Sequence, residues 1–82
     1  MLKVSVISPE AMLFEGEASS VVAPAFDGEV GILPGHAAMI TVLGQGTLRV
    51  EGDTPARFTV SGGFVQVVDD TVRVVTEKAS RV

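Results

Sequence analysis

The stretch Phe58-Thr59-Val60-Ser61-Gly62-Gly63-Phe64-Val65-Gln66-Val67-Val68-Asp69-Asp70-Thr71-Val72-Arg73-Val74 decides the fold class. Apolar and polar residues alternate through Phe58 and Val60, through Val65 and Val67, and through Val72 and Val74. A period of two puts successive side chains on opposite faces, which is the pattern of a half-buried strand with one wet face. Asp69-Asp70 supplies a turn between two such runs, and Gly62-Gly63 predicts a sharp turn or bulge at a sheet corner, where residues without side chains permit close backbone approach.

The same period extends outward in both directions, through Val4 and Val6 and through Leu48 and Val50. β-branched residues dominate these segments, which restricts χ1 and favours a pleated surface over a helix. Further turn chemistry lies at Asp27-Gly28, Gly44-Gln45-Gly46 and Glu51-Gly52-Asp53-Thr54-Pro55, and Asp27-Gly28 is the best hairpin signal. Short strands at this spacing leave no room for crossover helices, so the expectation is an all-β antiparallel sandwich or flattened barrel. Ser8-Pro9-Glu10-Ala11-Met12-Leu13-Phe14-Glu15-Gly16 carries helix-start signals, but a helix so short is marginal in water and a turn between two strands is preferred. The tail Glu77-Lys78-Ala79-Ser80-Arg81-Val82 is the one stretch expected to fray, and residues 1–82 are expected to form a single domain.

Composition narrows the function classes. The chain has 82 residues, 46% of them hydrophobic, enough for one modest core. A net charge of −4 and no adjacent pair of Lys or Arg remove the source of counterion release, so nucleic acid is a poor partner. No segment approaches the ~20 apolar residues of a membrane helix, and direct membrane insertion is not expected. Without cysteine there is no thiolate nucleophile or Cys-based zinc site. His36 is the only histidine, with no Cys or second His to complete a zinc site, and a packing or interface role is expected for it. The glycines of Gly31-Ile32-Leu33-Pro34-Gly35 and Ser61-Gly62-Gly63 do not continue into the Lys-Ser or Lys-Thr of a phosphate loop. No catalytic, cofactor or metal residue is assigned; taken alone, the residues indicate an acidic all-β interaction domain.

The segments Val6-Ile7-Ser8-Pro9-Glu10, Leu13-Phe14-Glu15-Gly16, Asp27-Gly28-Glu29-Val30-Gly31-Ile32-Leu33-Pro34-Gly35-His36, Leu48-Arg49-Val50 and Val60-Ser61-Gly62-Gly63-Phe64 share an order and spacing. Together they resemble the N-terminal domain of the epsilon subunit of F-type ATP synthases. The resemblance implies a flattened antiparallel β-sandwich of two five-stranded sheets, in a non-catalytic subunit of the rotor stalk. It implies two partners, the gamma subunit and the c ring, and a peripheral position on the cytoplasmic face of the bacterial inner membrane. On it, Gly28, Glu29 and Val30 match the contact with the polar loops of the c ring, and Ser8 and His36 match positions facing gamma. Met12, Leu33 and Met39 are apolar candidates for the same gamma contact, because interface cores favour large adaptable side chains. Phe14, Phe58 and Phe64 are expected in the core. Typical epsilon subunits continue into a helical hairpin, whereas this sequence ends at Val82 as a natural short form or an excised domain would; inhibition of hydrolysis and ATP binding belong to that hairpin and are not carried over. The alternative is a free-standing acidic β-sheet binding module.

Overall fold

A computed structural model describes residues 1–82. Eight strands follow in order: β1 (Leu2–Ile7), β2 (Met12–Ala18), β3 (Ser20–Ala25), β4 (Gly28–Ile32), β5 (Met39–Val42), β6 (Gln45–Glu51), β7 (Ala56–Val68) and β8 (Thr71–Arg81). They hydrogen-bond as one continuous sheet in the order β2-β1-β8-β7-β6-β3-β4, with β5 also paired to β7. The expected pair of five-stranded sheets is present as two leaves of this one sheet. β7 pairs β6 through residues 56–61 and β5 through residues 64–67, so it passes from one leaf to the other. The first leaf is β2-β1-β8-β7-β5 and the second is β8-β7-β6-β3-β4, with β7 and β8 common to both.

Gly62-Gly63 makes the corner, as its sequence suggests. Gly63 adopts φ 112° opposite Thr76, where a Cβ would strike the Val75 carbonyl oxygen. The corner also resets which side chains point inward. Ala56, Phe58 and Val60 are buried before it, and Val65 and Val67 after it, so the inward set passes from even to odd positions. Phe64 therefore lies on the outer face, half-buried, and not in the core where its bulk suggested.

Seventeen buried hydrophobic side chains form one cluster between the leaves, with Phe58 the largest of them. Phe14 packs edge-on against Phe58 with ring centroids 6.5 Å apart, and the Arg81 guanidinium lies 5.7 Å above the Phe58 ring. The turn before β2 is closed by Ser8, whose backbone N–H donates to Ala11 O at 2.8 Å and whose Oγ accepts from Ala11 N–H at 3.3 Å. This local side-chain bonding competes with helix formation and holds the segment as a turn.

Two further expectations need correction. β1 runs parallel to β8, because the rest of the chain serves as the long connection that parallel neighbours require. Residues 77–81 continue β8, and Val82 N–H donates to Arg57 O at 2.9 Å, so the tail is tied into the sheet. Its alternation is weak because only Ala79 faces the core, and Ala79 is small.

Candidate functional site

Three surfaces carry the residues singled out from sequence. The first is the tip of the β3–β4 hairpin. Ala25 pairs Gly28 across Phe26 and Asp27, placing the turn one residue earlier than the Asp27-Gly28 signal suggests. Gly28 adopts φ 130°, a backbone conformation that favours glycine. Beyond it Glu29 projects into solvent, and its Oε1 lies 3.8 Å from Nη2 of Arg49 on β6. With Glu29 60% and Arg49 38% exposed, this pair is loose and solvent-screened, leaving the carboxylate open to other cations. Val30 is half-buried and packs against the core, so of the three residues Gly28 and Glu29 are the accessible ones, beside the exposed turn residues Phe26 and Asp27.

The second surface is the loop between β4 and β5. Leu33 is exposed; Pro34 and Gly35 turn the chain, with His36 N–H donating to Leu33 O at 3.1 Å. His36 is half-buried, and its Nδ1 lies 2.8 Å from Ala37 O. Gly35, His36, Ala37 and Ala38 share an open hollow with Asp69 and Asp70 of the β7–β8 turn.

The third surface is the outer face of the first leaf, and sequence reasoning found only its margin. Cross-strand register aligns Met12 with Ile7, Ile7 with Val75, Val75 with Phe64 and Phe64 with Val42. Residues paired directly across strands share a face, so these five form an apolar row across all five strands, about 19 Å wide at the usual strand spacing. Ile40 and Val42 on β5 are 67% and 56% exposed, and Val68 continues the apolar surface toward the loop of His36. Met39 points the other way and packs against the core while touching the hollow beside Ile40. The legible signal was the apolar doublets Phe64-Val65, Val67-Val68 and Val74-Val75, where both faces of a strand are apolar.

The structure does not gather all the proposed gamma-facing residues. Ser8 and Met12 lie at the end of the leaf where β1 finishes. His36 lies beside the Asp69-Asp70 turn, where Asp70 O accepts from Lys3 N–H at the start of β1. Some four to five residues of strand separate the two ends, about 15 Å. Between them the outer face carries Glu15, Ser5, Arg73 and Gln66 on β2, β1, β8 and β7, and is apolar only along β5, at Ile40.

The family model described as ATP synthase, Delta/Epsilon chain, beta-sandwich domain matches residues 1–82. The chain belongs to this family. Among curated relatives, the ATP synthase epsilon chain of Leptospira borgpetersenii is 46% identical over 77 residues, 93% of this chain and 61% of that protein. That of Rhodopirellula baltica is 47% identical over 75 residues, 90% of this chain and 59% of the relative. This chain thus spans about three fifths of the length of the epsilon chains it matches. Among solved structures, a chain of the Euglena gracilis mitochondrial ATP synthase, determined as OSCP/F1/c-ring, superposes with a TM-score of 0.89 at 25% identity. The match covers 98% of this chain and 52% of that one. A chain from the central stalk/c-ring of the Tetrahymena thermophila mitochondrial enzyme shares the fold, with a TM-score of 0.82 at 20% identity. The all-β sandwich and the epsilon-chain relationship expected from the sequence are therefore established. No helix here is long and apolar enough to cross a membrane.

Proposed function

We propose that residues 1–82 act as one non-catalytic rotor domain of an ATP synthase epsilon subunit, joining the gamma subunit to the c ring on the cytoplasmic face of the membrane. The apolar row from Met12 to Val42 carries this reading, because a contiguous apolar patch on the outside of a small domain marks a protein interface. Gamma covers that face together with Leu33 and His36 at one end and Ser8 at the other. Met39 supports the contact from beneath, since its side chain packs against the core under Ile40.

The c ring takes the opposite kind of contact. Gly28 and Glu29 stand at a hairpin tip with a carboxylate that Arg49 holds only loosely. A carboxylate there pairs with basic loop residues at an interface rim, setting register and encounter rate more than affinity. Gly28 lets the backbone turn sharply enough to present Glu29, and Val30 anchors the hairpin in the core. The two contacts divide the work of a coupling element: an apolar grip on one rotating partner and a registering touch through Glu29 on the other.

The test is co-elution of the chain with its cognate gamma subunit on a sizing column, repeated with His36→Asp. A one-to-one complex that weakens in the variant, with unchanged circular dichroism, supports the reading. Absence of a wild-type complex contradicts it.

A further inference from the structure

We propose that Asp70 is the positioning residue that holds the β4–β5 loop, residues 33–38, in the shape in which Leu33 and His36 meet gamma; the inference rests on the gamma contact proposed above. Its observation is a single bond. Gly35 N–H donates to Asp70 Oδ1 at 2.7 Å, the short distance of a charge-assisted bond. The other bonds made by residues 33–38 are internal, from His36 N–H to Leu33 O and between His36 Nδ1 and Ala37 O. The loop therefore joins the rest of the chain by hydrogen bonding only through Asp70.

Asp70 is built to hold that place. It is the second residue of the β7–β8 turn, with φ 60°, and Asp69 before it has φ 49°. Both lie in the left-handed region, which non-glycine residues enter at a cost and which the short polar chains of Asn and Asp tolerate best. The Asp70 carbonyl accepts from Lys3 N–H at 2.8 Å, tying the turn to the start of β1. One residue thus connects the β7–β8 hairpin, the first strand and the exposed loop. A glycine pair would suit this backbone with less strain but would offer no side-chain acceptor to the loop. Holding a loop in its bound shape raises affinity by removing the ordering cost from the binding step.

The experiment compares three full-chain variants. Asp70→Gly keeps the turn conformation and removes the acceptor. Asp70→Asn keeps both an acceptor oxygen and tolerance of the left-handed region. Asp69→Gly alters the same turn without touching the bond. Amide hydrogen exchange of Gly35 is read on the free chain, and gamma affinity by calorimetry. In Asp70→Gly, Gly35 exchange rises and gamma affinity falls roughly 5- to 10-fold, the scale of one lost hydrogen bond at a partly exposed site. Asp70→Asn, which keeps a neutral acceptor, recovers both in large part, and Asp69→Gly leaves both as in wild type. Unchanged Gly35 exchange in Asp70→Gly overturns the latch. Raised exchange with unchanged affinity overturns its role in binding. An Asp69→Gly variant that matches Asp70→Gly shows that the turn and not the bond is responsible, and also overturns it. If wild type does not bind gamma, the parent reading fails, and the exchange data then separately decide whether the bond holds the loop.

Discussion

Replacing Gly63 by alanine tests the corner on which both leaves depend. A Cβ at this position would strike the Val75 carbonyl oxygen and lie 2.7 Å from Thr76 Cα and 2.9 Å from the Val75 carbonyl carbon. All three are backbone atoms of β8, so no rotamer change relieves the contact; the two long strands must separate where they pass from leaf to leaf. The φ of 112° adds backbone strain for any L side chain, about 1–3 kcal/mol. Overpacking against fixed backbone adds about 1–3 kcal/mol more. The expected loss is thus roughly 2–6 kcal/mol, against a total of about 4–12 kcal/mol for a domain of this size. At about 4–8 °C per kcal/mol, the melting temperature falls by at least about 8 °C. Thermal melts followed by circular dichroism, with urea unfolding as a second measure, read the effect. Gly31→Ala is the control, since a Cβ there meets nothing within 4 Å and its φ is ordinary. A Gly63→Ala loss below about 0.5 kcal/mol, in the range of an ordinary surface change, refutes the account of the corner.

Three further outcomes follow from the same geometry. Phe58→Ala, at the centre of the cluster between Phe14 and Arg81, destabilises the domain by about 3–5 kcal/mol in urea unfolding, and a cost under about 1 kcal/mol contradicts its central place. Arg49→Met changes stability by less than about 1 kcal/mol, because its partner Glu29 is largely solvated; the same titration reads it, and a larger loss points to a stronger bond than the 3.8 Å separation suggests. Glu29→Lys weakens capture of a detergent-solubilised c ring while leaving gamma binding intact, and the difference from wild type shrinks as salt is raised; equal capture at low salt removes Glu29 from that contact.

The core was legible because its chemistry is local. Val4, Val6, Leu48, Val50, Phe58, Val60, Val65, Val67, Val72 and Val74, all chosen by alternation, are buried. The glycine pair announced its corner, but not that the corner would exchange the inward and outward sets and turn Phe64 outward. That outcome depends on β8 running alongside, which no local pattern encodes. The tail was misjudged for a related reason: residues 77–81 are held by backbone pairing to β7, and the alternation of side chains carries little trace of it.

The outer face shows the same limit at the level of the site. Met12 and Leu33 were chosen as large adaptable residues and both are exposed, whereas Met39 in the same category packs inward. The row from Met12 to Val42 arises from register across five strands, and only Phe64 and Val75 among its other members stand in the apolar doublets noted above. The Asp70 bond to Gly35 spans 35 residues and was equally out of reach of pattern reading.

The most direct measurement is the affinity of gamma for wild type and for the double variant Ile40→Lys and Val42→Asp, by calorimetry on purified proteins with melting curves taken in parallel. Both side chains are already more than half exposed, so the variant is expected to melt within a few degrees of wild type. Binding is expected to fall at least roughly 100-fold, because each charge would be desolvated in an apolar contact. A double variant that melts normally and binds gamma as tightly as wild type would contradict the claim that this face is the grip on gamma.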